Sequence, residues 1–479
     1  MLVAPQYETF SYNRRVPEQA LLHQILVQHL ETFLDRARTE EHELPSHVEK
    51  ELRNYVECGV LGCGFARVRC DCGKSERAIA FSCMGRGFCP SCTGRRMADT
   101  AARLVDNVFP TNVPVRQWVL SLPIEIRYRL AYDGKLLSAV LTVFLRAVRG
   151  WYYKKAKEAG YKDVRCGSVT HAQRFGSALN INPHAHSLLL DGVYTSSKND
   201  GIPVFVHAPP LKDEDVKALV ETIAHRVIRL LERRGILDGN ETDRLADESP
   251  ILAGVTAASV QGMIATGERA GLPVRRVLSD PANAVRTGNL CYASRGFSLH
   301  AATRIAPGDK AGLERLCKYV SRPPLAAGSL TQISQELLSF KLKTPWSDGT
   351  TSILLSPMEL IEKLSALVPP SRQNIVRYHG VLAPNAKDRD KIVPAGKTEE
   401  PSSEEEETAP SKYRLTWSAL LARIFQIDMK CGICGSKMRI VAAVTDPDSI
   451  RHYLEGTGQS AEIPTLAPAR APPQEEWDF

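Results

Sequence analysis

Residues 167–194 read GSVTHAQRFGSALNINPHAHSLLLDGVY. The apolar run around His184-Ala185-His186 has turn chemistry on both sides, Asn180 and Asn182-Pro183 before it and Asp191-Gly192 after it, and so reads as a strand. Side chains alternate along a strand, which puts His184 and His186 on one face. Two imidazoles side by side on a rigid strand make a metal-ligand pair. Ser168 to Phe175 reads as a second strand, and antiparallel pairing with the first would bring Gln173 or His171 to the same face as a third ligand. A divalent ion held this way keeps coordination positions open for a substrate oxygen. The plainer alternative makes one histidine a packed core residue and the other a surface polar group. The His-x-His spacing on a strand, beside Gln173-Arg174 and within an apolar run, favours the metal.

The stretch also carries a resemblance. Gln173-Arg-Phe-Gly176, then Asn180-x-Asn-Pro-His-x-His186, then Leu190-Asp-Gly-Val-Tyr194 is similar to the metal motif of HUH-type rolling-circle transposases of the insertion-sequence common-region (ISCR-like) kind. HUH stands for His, hydrophobic, His, and Ala185 fills the middle place. Members of that family cut one DNA strand with a tyrosine while a divalent ion polarises the scissile phosphate. The resemblance therefore implies a nucleophilic tyrosine elsewhere in the chain.

Residues 307–326, PGDKAGLERLCKYVSRPPLA, supply it. Asp309 reads as the N-cap of a helix that Pro323-Pro324 ends. Leu313, Leu316, Cys317 and Val320 share its apolar face, and Arg315, Lys318, Tyr319 and Arg322 share the other at helical spacing. A phenol is a poor nucleophile until a metal or base assists it, and neighbouring cations help hold a phosphate in line. Tyr319-Val-Ser-Arg-Pro-Pro-Leu-Ala326 resembles the family's nucleophile motif. The two-tyrosine branch has a second tyrosine four residues earlier, where this chain has Arg315, so the resemblance is to the single-tyrosine branch. A second protomer, reuse of Tyr319, or a distant residue such as Tyr378 could then serve the second cleavage.

Of twelve cysteines, seven lie between Cys58 and Cys92 and two more form Cys431-Gly-Ile-Cys434. Such clusters in a reducing compartment indicate zinc. Cys89-Pro-Ser-Cys92 is a C-x-x-C knuckle, and Cys70-Asp-Cys72 could supply the opposing pair. Cys58, Cys63 and Cys83 are then surplus to that site, and Cys431 and Cys434 are half of another that His452 could join. The segment around Phe81-Ser-Cys83 and Gly87-Phe-Cys-Pro-Ser-Cys92 resembles the family's N-terminal zinc-binding domain. Arg86, Arg95 and Arg96 beside the knuckle, Arg174 in the histidine stretch, Arg315, Lys318 and Arg322 on the tyrosine helix, and Lys343 near Trp346 are candidates for meeting DNA phosphates. A solvated basic face, and for Trp346 ordinary packing, are the competing readings.

With 43% hydrophobic and 24% charged residues the chain has an ordinary globular composition. Its formal charge is +7, and Glu399, Glu400 and Glu404 to Glu407 lie in one low-complexity stretch; without those six carboxylates the remainder carries +13. A basic body suits nucleic acid. No apolar run approaches the roughly 20 residues that span a bilayer, and the opening MLVAPQYETFSYNRR lacks an export signal, so a cytoplasmic location without a membrane partner is expected. No Walker-type loop is present, and no nucleotide cofactor is expected.

The expected fold class is α+β: an antiparallel sheet of the HUH type with flanking helices, an N-terminal helical and zinc-binding domain (residues 1–112) and a small C-terminal module. The catalytic domain would span 113–394 with a helical insertion at about 200–287, followed by an acidic linker (395–412), the C-x-x-C module (413–462) and a Pro/Ala-rich tail (463–479). A second helix with a capping box is expected from Ser46 and Glu49, and another from Ser356 and Glu359. The resemblance implies a transposase that cuts and rejoins single DNA strands through a 5′-phosphotyrosine link, with His184, His186 and Gln173 around Mg2+ or Mn2+, structural Zn2+, action on the nucleoid and possible homodimers. Rival readings are a plasmid replication initiator or relaxase using the same chemistry, and a zinc-ribbon DNA-binding protein with a dead catalytic domain.

Overall fold

The computed structural model describes residues 16–39, 43–196, 203–237, 243–278, 288–326, 328–370, 373–394, 431, 433–436 and 438–470. The chain begins with α1 (Leu21–Thr39), α2 (Ser46–Glu57), β1 (Phe65–Arg69), β2 (Glu76–Ala80) and α3 (Pro90–Asn107). Next come β3 (Val115–Ser121), α4 (Ile124–Tyr132), α5 (Gly134–Glu158), β4 (Gly167–Phe175), β5 (Ile181–Leu190), β6 (Gly192–Ser196) and β7 (Pro203–His207). They are followed by α6 (Asp213–Glu232), α7 (Arg244–Glu248), α8 (Pro250–Gln261), β8 (Arg275–Leu278), β9 (Cys291–Ser294), β10 (Phe297–His300), β11 (Arg304–Ile305) and α9 (Lys310–Val320). The last elements are β12 (Leu330–Ser334), β13 (Leu337–Lys341), β14 (Thr350–Leu355), α10 (Pro357–Leu367), β15 (Val376–Gly380), α11 (Arg389–Ile392), β16 (Arg439–Val444) and α12 (Pro447–Gly456).

The main sheet has the order β15-β4-β5-β3-β10-β9, with β11 also on β3, and every pairing is antiparallel. Its two faces are covered differently. On one face Trp118, Leu120, Ala172, Ala185 and Leu189 pack under α5 and α6. On the other, Val115, Val169, Leu188 and Leu190 pack under α3 and α9. Burying side chains of this size stabilises by about 1.5–3 kcal/mol each, which is what fixes the strand register. Within the segment expected as a helical insertion, α6 closes one side of the main sheet, and β8 pairs with β14 in a second sheet of order β12-β13-β14-β8.

A buried charge cluster ties down the end of β5. Asp191 accepts from Arg116 Nε and Nη2 at 3.0 Å each, from Arg304 Nε at 2.7 Å and from the Tyr152 hydroxyl at 2.9 Å. Burial alone would raise its carboxyl; the Arg116 hydrogen bonds and charge outweigh that and hold it below the usual carboxylate range. Removing one partner of such a set costs roughly 3–5 kcal/mol, because the others stay buried and uncompensated.

The C-terminal residues do not stand apart as a separate module. β16 adds antiparallel to β1, making a three-stranded sheet β16-β1-β2. Ile450 and Leu454 of α12 pack on Leu61 and Phe65. Beyond α12 the chain runs back along α1, where the Ala467 amide donates to the Val27 carbonyl at 2.9 Å and the Arg470 amide to Thr32 Oγ1 at 3.1 Å. Residues 463–470, expected to be part of a loose tail, are thus docked. The expected acidic linker, the first part of the expected C-x-x-C module (413–430) and residues 471–479 lie outside the described residues.

Candidate active site

Four polar side chains share one face of the β4–β5 pair. In the antiparallel register Gln173 stands opposite His184 and His171 opposite His186. The two rings of the His-x-His pair are 4.9 Å apart between centroids. His184 Nδ1 lies 2.7 Å from the Asn182 carbonyl oxygen, a position that calls for an N–H there and leaves Nε2 with the lone pair. The Gln117 carboxamide nitrogen, from β3, lies 2.8 Å from His186 Nδ1 and donates to it, which fixes the orientation of the ring.

Among the described residues, several buried atoms on this face have no partner. His186 Nε2, Gln173 Oε1 and His171 Nε2 are buried without a hydrogen bond. Each unpaired buried group costs roughly 1–3 kcal/mol, so three of them gathered on one strand face fit a site that takes a cation. Imidazole nitrogens with an amide oxygen suit a divalent first-row or Mg2+-type ion. The rings are held neutral, the form that ligates: burial, with help from the charges of His184, Arg322 and His171, pushes His186 down to about 2; burial pushes His171 down to about 4 and also lowers His184.

Tyr319 comes to the same face from far along the chain. The expected apolar line of α9, Leu313, Leu316, Cys317 and Val320, is buried against the sheet, and Asp309 caps the helix by accepting from the Gly312 amide at 2.7 Å. Tyr319 projects beyond that seat, 38% exposed, with its ring edge-on to His186 at 5.7 Å between centroids. Arg322 Cζ is 4.7 Å and Lys343 Nζ 4.6 Å from the tyrosine ring centroid. Burial, then the charge of Arg322, lowers the Lys343 ammonium from its ordinary value. Gln173 joins the two halves of the site: its Nε2 donates to the Val320 carbonyl at 2.7 Å, so the last turn of the tyrosine helix is pinned to the strand whose Oε1 faces the histidines. Ser321 Oγ lies 3.4 Å from His171 Nδ1 beside it.

The remaining basic candidates divide. Arg315 and Lys318 are exposed on α9, Lys318 paired with Glu314 at 3.0 Å. Arg96 donates to the Gly85 and Met84 carbonyls, Arg86 to the Gln373 carbonyl, and Arg95 Nη2 lies 4.0 Å from Cys92 Sγ. Arg174 is a correction to the expected phosphate contact: it sits at an irregularity of β4, on the opposite side from Gln173, and donates to the Ala131 and Ala366 carbonyls at the ends of α4 and α10. There its charge meets the negative ends of two helices and faces inward. Trp346 is held as packing, its indole N–H donating to Ser177 Oγ at 2.8 Å. Tyr378 stands opposite Val169 on β15, on the sheet face that carries the histidines but two residues along β4 from His171, with its hydroxyl accepting from Arg103 at 3.0 Å. Gln117 is the residue that sequence reading missed; a glutamine inside the apolar run of β3, 3% exposed, was the signal.

The cysteines group otherwise than expected. Cys89 and Cys92 gather with Cys58 and Cys83, and Cys70 and Cys72 with Cys431 and Cys434. Pairing Cys70-Cys72 with Cys89-Cys92 is therefore corrected, as β1 and β2 carry the C-x-C turn away from the knuckle at the start of α3. In the first group Cys58 lies 3.7 Å from both Cys89 and Cys92, and Cys83 lies 3.4 Å from Cys92. Four thiolates around zinc at about 2.3 Å stand about 3.8 Å apart, so this spacing fits the ion. Cys63 belongs to neither group, and burial pushes its thiol up to about 11. His452 belongs to neither as well.

Among known protein families, the one described as "Transposase zinc-binding domain" matches residues 25–122, from α1 through β3. The family described as "Putative transposase" matches residues 167–390, from β4 through α11. The chain carries transposase-family domains. The zinc-binding match contains all of the first cysteine group, and together they support structural zinc. The transposase match contains His184, His186, Gln173 and Tyr319. Cys431 and Cys434 fall outside both matches. No curated protein and no solved structure matches the chain. Among the described residues no helix is long and apolar enough to cross a membrane.

Proposed function

We propose that this transposase is an HUH-type, metal-dependent DNA strand transferase of the single-tyrosine, common-region kind, acting in rolling-circle transposition. The observation that carries the reading is the placement of Tyr319 against His186 with Arg322 and Lys343 beside it, two distant motifs meeting on one strand face. His184, His186 and Gln173 would hold Mg2+ or Mn2+, which when bound polarises a phosphate. Tyr319 Oη attacks phosphorus: the Oη–P bond forms, the P–O3′ bond breaks, the phenolic proton goes to solvent, and the 3′ oxygen takes up a proton as a free hydroxyl. The 5′ end stays on the tyrosine. Arg322 and Lys343 stabilise the developing phenolate and steady the phosphate for in-line attack. Attack by a second 3′-hydroxyl reverses the step, and no nucleotide is consumed.

The test is incubation of the purified protein with single-stranded DNA from the flanks of its own gene and Mn2+, followed by a denaturing gel. A protein–DNA adduct is expected from the native chain and is expected to fall at least about 10³-fold in Tyr319→Phe and in His184→Ala. Adduct yield undiminished in Tyr319→Phe would remove Tyr319 as nucleophile.

A further inference from the structure

We propose that the second cysteine group is a separate zinc site, split between the two ends of the sequence, and that its zinc clasps residues 431–470 onto the N-terminal domain. Cys70 and Cys72 leave the end of β1; Cys431 and Cys434 precede β16, which pairs with β1. Cys70 Sγ lies 3.2 Å from Cys434 Sγ and Cys72 Sγ lies 3.8 Å from Cys431 Sγ, and all four are free thiols. Each pair sits on a tight turn with a left-handed glycine behind it, Gly73 at φ 71° and Gly435 at φ 73°. The Ile433 amide lies 3.4 Å from Cys431 Sγ, a donor of the kind that stabilises a thiolate ligand. Val68 and Met438 close an apolar floor under the four sulfurs. Four thiolates in this arrangement select a tetrahedral ion, and binding releases their protons.

The surroundings are built for a joint rather than a chance contact. Tyr453 donates to Glu76 at 3.0 Å and stacks with Phe65 at 5.0 Å; Arg439 pairs with Asp71 at 2.5 Å. At Gly62 a Cβ would come within 2.5 Å of the Glu462 carbonyl and 2.7 Å of that of Ala461, so only glycine lets the returning chain lie against this turn. The two sites differ in access. Three of the first four cysteines are buried, whereas Cys434 is exposed, so the clasp zinc should leave first.

The test begins with the unaltered protein. Zinc is removed with a chromophoric chelator while newly released thiols are alkylated and mapped by mass spectrometry. Two zinc ions per chain are expected, leaving in two phases, with Cys70, Cys72, Cys431 and Cys434 labelled together in the fast phase and Cys58, Cys83, Cys89 and Cys92 in the slow one. Zinc content is then measured in Cys70→Ser/Cys72→Ser, in Cys431→Ser/Cys434→Ser and in the quadruple variant. Each is expected to hold one zinc, the quadruple no fewer than the doubles, because both pairs serve one ion. One zinc per chain in the native protein, or Cys431 and Cys434 alkylated without chelator while Cys70 and Cys72 stay protected, would overturn the split site.

Discussion

At the scale of single residues, His171 sets a pH dependence that metal-free protein should display. Burial holds it at about 4 in the folded state, against 6.5 ordinarily. Above pH 6.5 it is neutral folded and unfolded, and costs nothing. As pH falls from 6.5 toward 4 the unfolded chain takes the proton and the folded chain does not, so stability declines across that window, by at most about 3 kcal/mol from this residue. His186 and His379 are depressed too, and add in the same direction. Urea titrations at pH 7.5 and 4.5 should show a smaller loss in His171→Gln than in the native chain; equal losses would mean His171 is not held neutral. The identities at this scale divide by what a sequence can carry. His184 and His186 were legible because alternation is local. The choice between Gln173 and His171 was not, because both are on the right face, and what distinguishes them, the Val320 carbonyl that takes the Gln173 amide, lies far along the chain.

Elements were legible where their signals were local and misread where one residue of offset decided the outcome. Ser356 and Glu359 form the expected capping box on α10, Glu359 accepting from the Ser356 amide at 2.9 Å. Ser46 and Glu49 have the same spacing and form none: α2 starts at Ser46 itself, Pro45 holds the cap position, and Glu49 instead takes Arg53 at 2.9 Å. A serine hydroxyl caps only from outside the first helical residue. Ser356→Ala should therefore cost about 1 kcal/mol and lower Tm by roughly 2 °C. Ser46→Ala should change it little, and a pair of melts in which Ser46→Ala does the greater harm would contradict the assigned caps. Arg174 belongs here too. Its neighbour Gln173 faces the site, so strand alternation already sends it to the other side, toward the carbonyl ends of α4 and α10.

Over the whole molecule, the cations around Tyr319 define how a single DNA strand should be held. Arg315, Arg322 and Lys343 would make about three phosphate contacts, giving a log–log salt slope near −2 and roughly 20-fold weaker binding at 200 mM than at 50 mM salt. Anisotropy titrations with a short oligonucleotide measure this directly; a flat salt response would remove these residues from the interface. The antiparallel sheet with flanking helices was expected from the family resemblance, but the joining of the two ends was not, since nothing near Cys70 or Cys431 names the other. That joining bears on synthesis. When β1 leaves the ribosome its outer edge has no partner until β16 follows, some 370 residues later, roughly 20–75 s at about 5–20 residues per second. During that interval an open strand edge and two unmatched thiols are exposed on every nascent chain. Chains crowded on one messenger thus risk pairing with one another before each can close on itself, and slower expression should raise the yield of monomer.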